Sequence, residues 1–186
     1  MEKTRKILDT ALRLFVEFGF HGTPTSKIAL EAGVANGTLF NKFATKDDLI
    51  IALYTDITKR MGEYVAENSI LKQSLKENMK GYYLATLYWA LDNKAEFRFV
   101  QQFKISPFIS LIAPEKLEMS YQPFYDMLRQ GINEHLFKPL PLEYLSMMII
   151  SHTYGLNEYL IKNEFSKANQ HAIISDSFEL LWGMIT

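Results

Sequence analysis

Cysteine is absent from the 186 residues. That removes disulfides, thiolate nucleophiles and cysteine-ligated zinc, and it fits a cytoplasmic location. No apolar run approaches the roughly eighteen residues a membrane span needs, and the charged start leads into an amphipathic pattern, not the apolar core of a secretory signal. A membrane is not an expected partner. Charge of one sign is also missing: 20 Lys and Arg stand against 21 Asp and Glu, a net charge of −1. Bulk electrostatics therefore cannot coat nucleic acid, and any hold on DNA must come from a local patch. His21, His135, His152 and His171 show no close metal-ligand spacing, no glycine-rich phosphate loop exists, and no serine sits in a nucleophile motif. No catalytic residue, metal or cofactor is expected.

What remains is helical periodicity. Ile7, Leu8, Ala11, Leu12, Phe15 and Phe18 recur at i, i+4 and i+7, which predicts a helix over 3–18 ending at Gly19. Thr25 is the expected N-cap of the next helix. Thr45 and Asp48 match a capping box, with Asp47 and Asp48 complementing the dipole of a long helix from Lys46 to about Asn68. Further helices are expected at 72–91, 94–105, 115–137, 141–163 and 167–185, punctuated by Pro107, Pro114, Pro139 and Pro141. Pro123 is positioned to kink or restart the third of these, and a short turn is expected at 107–112. Nothing resembles a strand ladder. The fold class is all-α, with a small N-terminal three-helix domain (1–48) and a larger helical domain (49–186).

Within 25–46 the pattern is that of a helix-turn-helix. Ile28 and Ala29 supply the apolar face of the first helix, and Leu39 and Phe43 that of the second. Small residues at Ala29 and Ala32 allow a close crossing. Gly33 takes positive φ at little cost in the reversal, and Val34 fills the corner. Between 21 and 46, Lys27, Lys42 and Lys46 meet only Glu31, so this surface is locally positive.

These residues resemble the DNA-binding domain of the TetR family of bacterial transcriptional regulators. The resemblance covers residues 5–50 and rests on Ala11-Leu12-Arg13-Leu14-Phe15, Gly19-Phe20, Ile28-Ala29, Ala32-Gly33-Val34, Gly37-Thr38-Leu39-Phe40, Phe43 and Lys46-Asp47-Asp48-Leu49. It implies an all-α homodimer with two reading heads and a dimeric effector-binding body, acting as a repressor. Three positions depart from the pattern: Ala35 stands where Ser is usual, Lys42 where an aromatic or His is common, and Pro24 where Thr is frequent.

A recognition helix enters the major groove if its outer face is short, polar and unobstructed, as Ala35, Asn36, Thr38, Phe40, Asn41 and Lys42 would make it. Asn36 and Asn41 are the candidates for base edges. Gly37 lets the backbone approach the duplex or merely relieves packing. Thr38, Lys42 and Lys46 are expected on phosphates, together with Thr25 and Lys27 at the start of their helix. Asn36-Gly37-Thr38 also matches a glycosylation sequon and a hairpin signal, but the flanking residues support neither.

In the body, residues 141–163 are apolar nearly all round, which requires burial on several sides. A four-helix bundle across a two-fold axis would bury Leu145, Met148, Ile149, His152, Leu156, Ile174, Phe178, Leu181 and Trp182, although an ordinary monomer core would satisfy the same pattern. The middle helices are rich in aromatics, and the resemblance implies that some of them line a cavity for a small hydrophobic effector, with Tyr82, Thr86, Trp89, Gln102, Phe103, Tyr125 and His152 as lining residues. The expected partners are thus operator DNA, a second copy and that effector. An enzyme, or a helical protein-interaction module that has lost specific DNA binding, are the alternatives.

Overall fold

The computed structural model describes residues 2–69, 74–163 and 165–186, and all regular structure among them is helical. The chain divides into two compact units that do not follow chain order: residues 1–60 with 93–114, and 61–92 with 115–186. The expected boundary at 48/49 therefore falls inside the first unit.

The first unit holds α1 (Glu2–Phe18), α2 (Thr25–Glu31), α3 (Asn36–Lys42), α4 (Lys46–Asn68) as far as Arg60, and α6 (Lys94–Lys104) with a 3-10 turn at Pro107–Leu111. α1 ends because Gly19 adopts φ 72° and returns its amide to the Phe15 carbonyl at 2.9 Å, a left-handed cap that glycine forms without strain. α1 packs on α6 and α2. Its fully buried Phe15 lies 5.4 Å from Phe20 and 6.2 Å from Phe99, centroid to centroid, and Tyr54 stacks on Phe103 at 4.1 Å. Such ring pairs add about 0.5–1.5 kcal/mol beyond the area they bury. Buried Thr23 ties the following turn to α1 by donating to the Leu14 and Gly19 carbonyls.

The second unit is built around α5 (Leu75–Asp92), which packs on α8 (Gln122–Asn133), α9 (Leu142–Lys162) and α10 (Lys167–Ile185). The expected start of α5 at 72 lies outside the described residues. The helix begins at Leu75 because Ser74 and Glu77 form a capping box: Glu77 N donates to Ser74 Oγ at 3.2 Å and Ser74 Oγ to Glu77 Oε2 at 3.0 Å. The single helix expected over 115–137 is two, α7 (Pro114–Met119) and α8. Pro123 brings no amide to continue the ladder, whereas in a first turn that amide is not needed.

α8 ends in a Schellman motif, with Leu136 N on Gly131 O and His135 N on Ile132 O. His135 holds the left-handed residue at φ 55°. The Phe137 ring then folds over Gly131, so closely that a methyl there would lie 2.1 Å from it. Lys138 caps α10 with its amide on Ile185 O and its ammonium on Met184 O, both at 2.7 Å. Glu179 on α10 bridges Lys76 (2.6 Å) and Lys80 (2.8 Å) on α5. These two ammonium partners pull its carboxyl down to about 2.

Candidate nucleic-acid interface

α2 starts one residue earlier than a Thr25 cap requires. Thr25 is already helical, and Pro24 caps with its carbonyl alone, accepting from Lys27 N and Ile28 N. Because a hydroxyl at position 24 would cap α2 and proline carries none, the first turn depends on the backbone. The turn into α3 is a Schellman motif in full: Val34 N reaches Ala29 O at 3.0 Å, Gly33 N reaches Leu30 O at 3.1 Å, and Gly33 sits at φ 67°.

α3 buries Leu39 completely and Phe43 follows it inward, while Ala35, Asn36, Gly37, Phe40, Asn41 and Lys42 are exposed and Thr38 is half-buried. Among the described residues nothing lies within 4 Å of where a Gly37 Cβ would stand. That face is open, and Phe40 stands among its short and polar residues as an exposed ring. The Thr45–Asp48 box forms with both bonds, Thr45 N to Asp48 Oδ2 and Asp48 N to Thr45 Oγ1, each at 3.0 Å. It fixes Lys46 at the start of α4. Partial burial lowers the Lys46 ammonium pKa, opposed by the Asp47 charge.

Two features escaped the residue pattern. Lys27 Nζ sits 3.7 Å above the centre of the half-exposed Phe18 ring, a cation–π contact that holds the ammonium on the surface it was expected to lend to phosphate. Phe18, expected in the core, serves as its platform. Glu31, the one acid between 21 and 46, is paired with Arg13. Its negative charge is thereby offset by a residue outside the motif.

Of the residues expected around an effector, two lie in the first unit and five in the second. Gln102 and Phe103 belong to the first unit, and Phe103 is fully buried under Tyr54. Trp89 is core. The Thr86 hydroxyl donates to Tyr82 O at 2.8 Å. His152 Nδ1 lies 3.0 Å from the Tyr83 hydroxyl, a hydrogen bond between the two, and burial pushes the imidazole pKa below its ordinary value. Tyr82 lines a cavity of about 280 Å³ with Ser69, Asn78, Pro123, Asp126, Met127 and Gln130. Burial and nearby Tyr125 push its phenol upward.

The expected dimer surface needs a larger correction. Leu145, Ile149, Ile174, Phe178 and Leu181 are buried inside the subunit, packed with Tyr83, Leu87, Phe124 and Leu128. They cannot also face a second chain. Met148, His152, Leu156 and Trp182 are half-buried beside them. The exposed sides of the two helices carry Tyr144, Met147, Ser151, Gly155 and Tyr159 on α9, and Ala172, Leu180, Gly183 and Met184 on α10.

Residues 7–53 match the family model for bacterial regulatory proteins of the tetR family. The fatty acid metabolism regulator protein of Bacillus subtilis is 36% identical over 77 residues, which is 39% of this chain and 40% of that protein. The transcriptional repressor AcnR of Corynebacterium diphtheriae is 33% identical over 70 residues, 38% of this chain and 37% of its own. These matches thus span about two fifths of the curated relatives. Solved structures match over the full length. A tetR family transcription regulator from Shewanella sp. PV-4 superposes with a TM-score of 0.90 at 29% identity, covering 98% of this chain and 97% of that one. One from Marinobacter aquaeolei VT8 reaches 0.82 at 21% identity, over 99% and 95%.

Proposed function

The chain belongs to the TetR family of bacterial regulatory proteins, and on that premise we propose that it is a transcriptional repressor, binding a near-palindromic operator as a homodimer and switched by a small hydrophobic effector. One observation carries the reading: the outward face of α3, from Ala35 to Lys42, is accessible and, Phe40 apart, short or polar, while Leu39 fixes its inner side. A short helix so mounted matches the width and depth of the major groove, with Asn36 and Asn41 at base edges and Thr38, Lys42 and Lys46 toward phosphates. Thr25, the Lys27 ammonium and Phe40 flank that contact.

A single head binds weakly, so two copies with their heads about 34 Å apart would read successive major grooves. The exposed stripe of Met147, Ser151 and Gly155 on α9 with Leu180, Gly183 and Met184 on α10 suits that pairing. Small residues let helices approach, and the large apolar ones gain from being covered. The effector reading draws support from the Tyr82 cavity, which offers an apolar wall at Met127 and polar ends at Asn78 and Gln130.

Gel-shift and footprinting on the promoter regions flanking the chain's own gene test the central claim. The expected result is protection of a two-fold-symmetric site at nanomolar protein. Retention of all fragments alike, or of none, overturns it and favours the interaction module.

A further inference from the structure

Asn36 is followed by Gly37, and no other asparagine in the chain precedes glycine. Both residues are exposed. Among the described residues no hydrogen bond engages the Asn36 side chain, and no side chain caps α3. The amides of Thr38 and Leu39 are both held by the Ala35 carbonyl, leaving that of Gly37 without an acceptor, as expected of an early helix amide. Beyond its chain neighbours and its own helix backbone, nothing among the described residues stands within 4 Å of where a Gly37 Cβ would be, and glycine itself brings no side chain to hinder attack by its peptide nitrogen. α3 has seven residues, too few for a helix to be stable by itself, and local opening of its first turn is correspondingly easy.

We propose that Asn36-Gly37 is a site of spontaneous modification, where the Asn36 amide closes to a succinimide and reopens as aspartate or isoaspartate, ageing the surface that reads DNA. Base removes the Gly37 amide proton, and the nitrogen attacks Asn36 Cγ. A bond forms between them, the Cγ–Nδ2 bond breaks, and Nδ2 takes up a proton and leaves as ammonia. Water then adds to either ring carbonyl. Opening at Cγ returns a normal backbone with an aspartate, whereas opening at the backbone carbonyl leaves isoaspartate, with an extra methylene in the main chain. No electrons are exchanged. Both products convert a neutral donor and acceptor at a base edge into an acceptor-only anion within the field of the DNA phosphates. The effect on DNA rests on the function proposed above, whereas the chemistry does not.

The test ages the purified full chain at mildly alkaline pH and follows tryptic peptide 28–42 by mass, with enzymatic methylation to count isoaspartate. Promoter affinity is measured on the same samples. Expected are a mass rise at Asn36 with Asn41 unchanged, a several-fold slower rise in Gly37→Ala, and an affinity loss of about ten- to a hundredfold, the scale of one base contact. Asn36→Asp should bind as weakly as the aged chain. Peptide 28–42 keeping its mass, or Gly37→Ala ageing at the parental rate, overturns the modification. An aged chain with undiminished affinity overturns its consequence for DNA. Should fresh protein retain no promoter fragment, the proposed function fails while the peptide mass still decides the chemistry.

Discussion

Removing the Asn41 amide and removing the Lys46 ammonium take away different kinds of contact. In the proposed binding mode the first would read a base, whereas the second would neutralise a phosphate and release a counterion. Lys46→Ala should therefore weaken binding to all sequences and lower the salt slope by about one unit per head, while Asn41→Ala should relax preference at one base pair in each half-site with the slope kept. Titrations over salt and operator variants check this, and identical behaviour of the two variants rejects the assignment. His152 gives a second single-residue expectation. Its folded pKa lies below the ordinary 6.5, so the unfolded chain binds the proton more readily. The contribution is complete above 6.5 and is lost as pH falls below it toward the folded value. Denaturant melts at about pH 7.5 and 5.5 should show a larger acid loss in the parent than in His152→Gln. An equal loss would place the sensitivity elsewhere.

Helix ends carry much of the information in this chain, and they can be altered without touching a core. Gly33 at φ 67° and His135 at φ 55° close α2 and α8 with the same motif, yet only one is the residue that conformation favours. Nothing crowds a methyl at Gly33, so Gly33→Ala should cost about 1–2 kcal/mol through the backbone alone, and His135→Gly should gain about 1 kcal/mol. Thermal melts of both variants check the opposite signs; a destabilised His135→Gly would mean that its imidazole holds something the backbone argument omits. Elements were legible in the sequence where their causes are local. The Thr45–Asp48 box, the Gly19 and Gly33 stops and the restart at Pro123 all depend on residues within a turn of one another. The Ser74–Glu77 box was equally local but passed unnoticed, and Pro24 displaced Thr25 as cap by one position.

For the molecule as a whole, periodicity revealed that α9 and α10 bury apolar faces, but not against what. Leu145, Ile149, Ile174, Phe178 and Leu181 have the spacing an interface would have, and α5 and α8 occupy that face instead. Likewise nothing near Phe103 signals that its partner is Tyr54, some fifty positions earlier. Met147 and Leu180, both largely exposed, remain for a second copy. Because a two-fold axis counts each change twice, Met147→Glu or Leu180→Glu should raise the dimer dissociation constant by about a hundredfold or more. Sedimentation with helicity unchanged checks it, and unaltered association rejects this face.

The chain path itself has a consequence for synthesis. The half carrying α3 includes α6, so it is not a contiguous stretch of sequence. A fragment stopping at Arg60 would leave Phe15 and Tyr54 without Phe99 and Phe103. On the ribosome, that half must wait with open aromatic faces until residue 114 has emerged, and its partner cannot be finished until the last helix arrives. Each nascent chain is therefore exposed to mispairing for most of its translation.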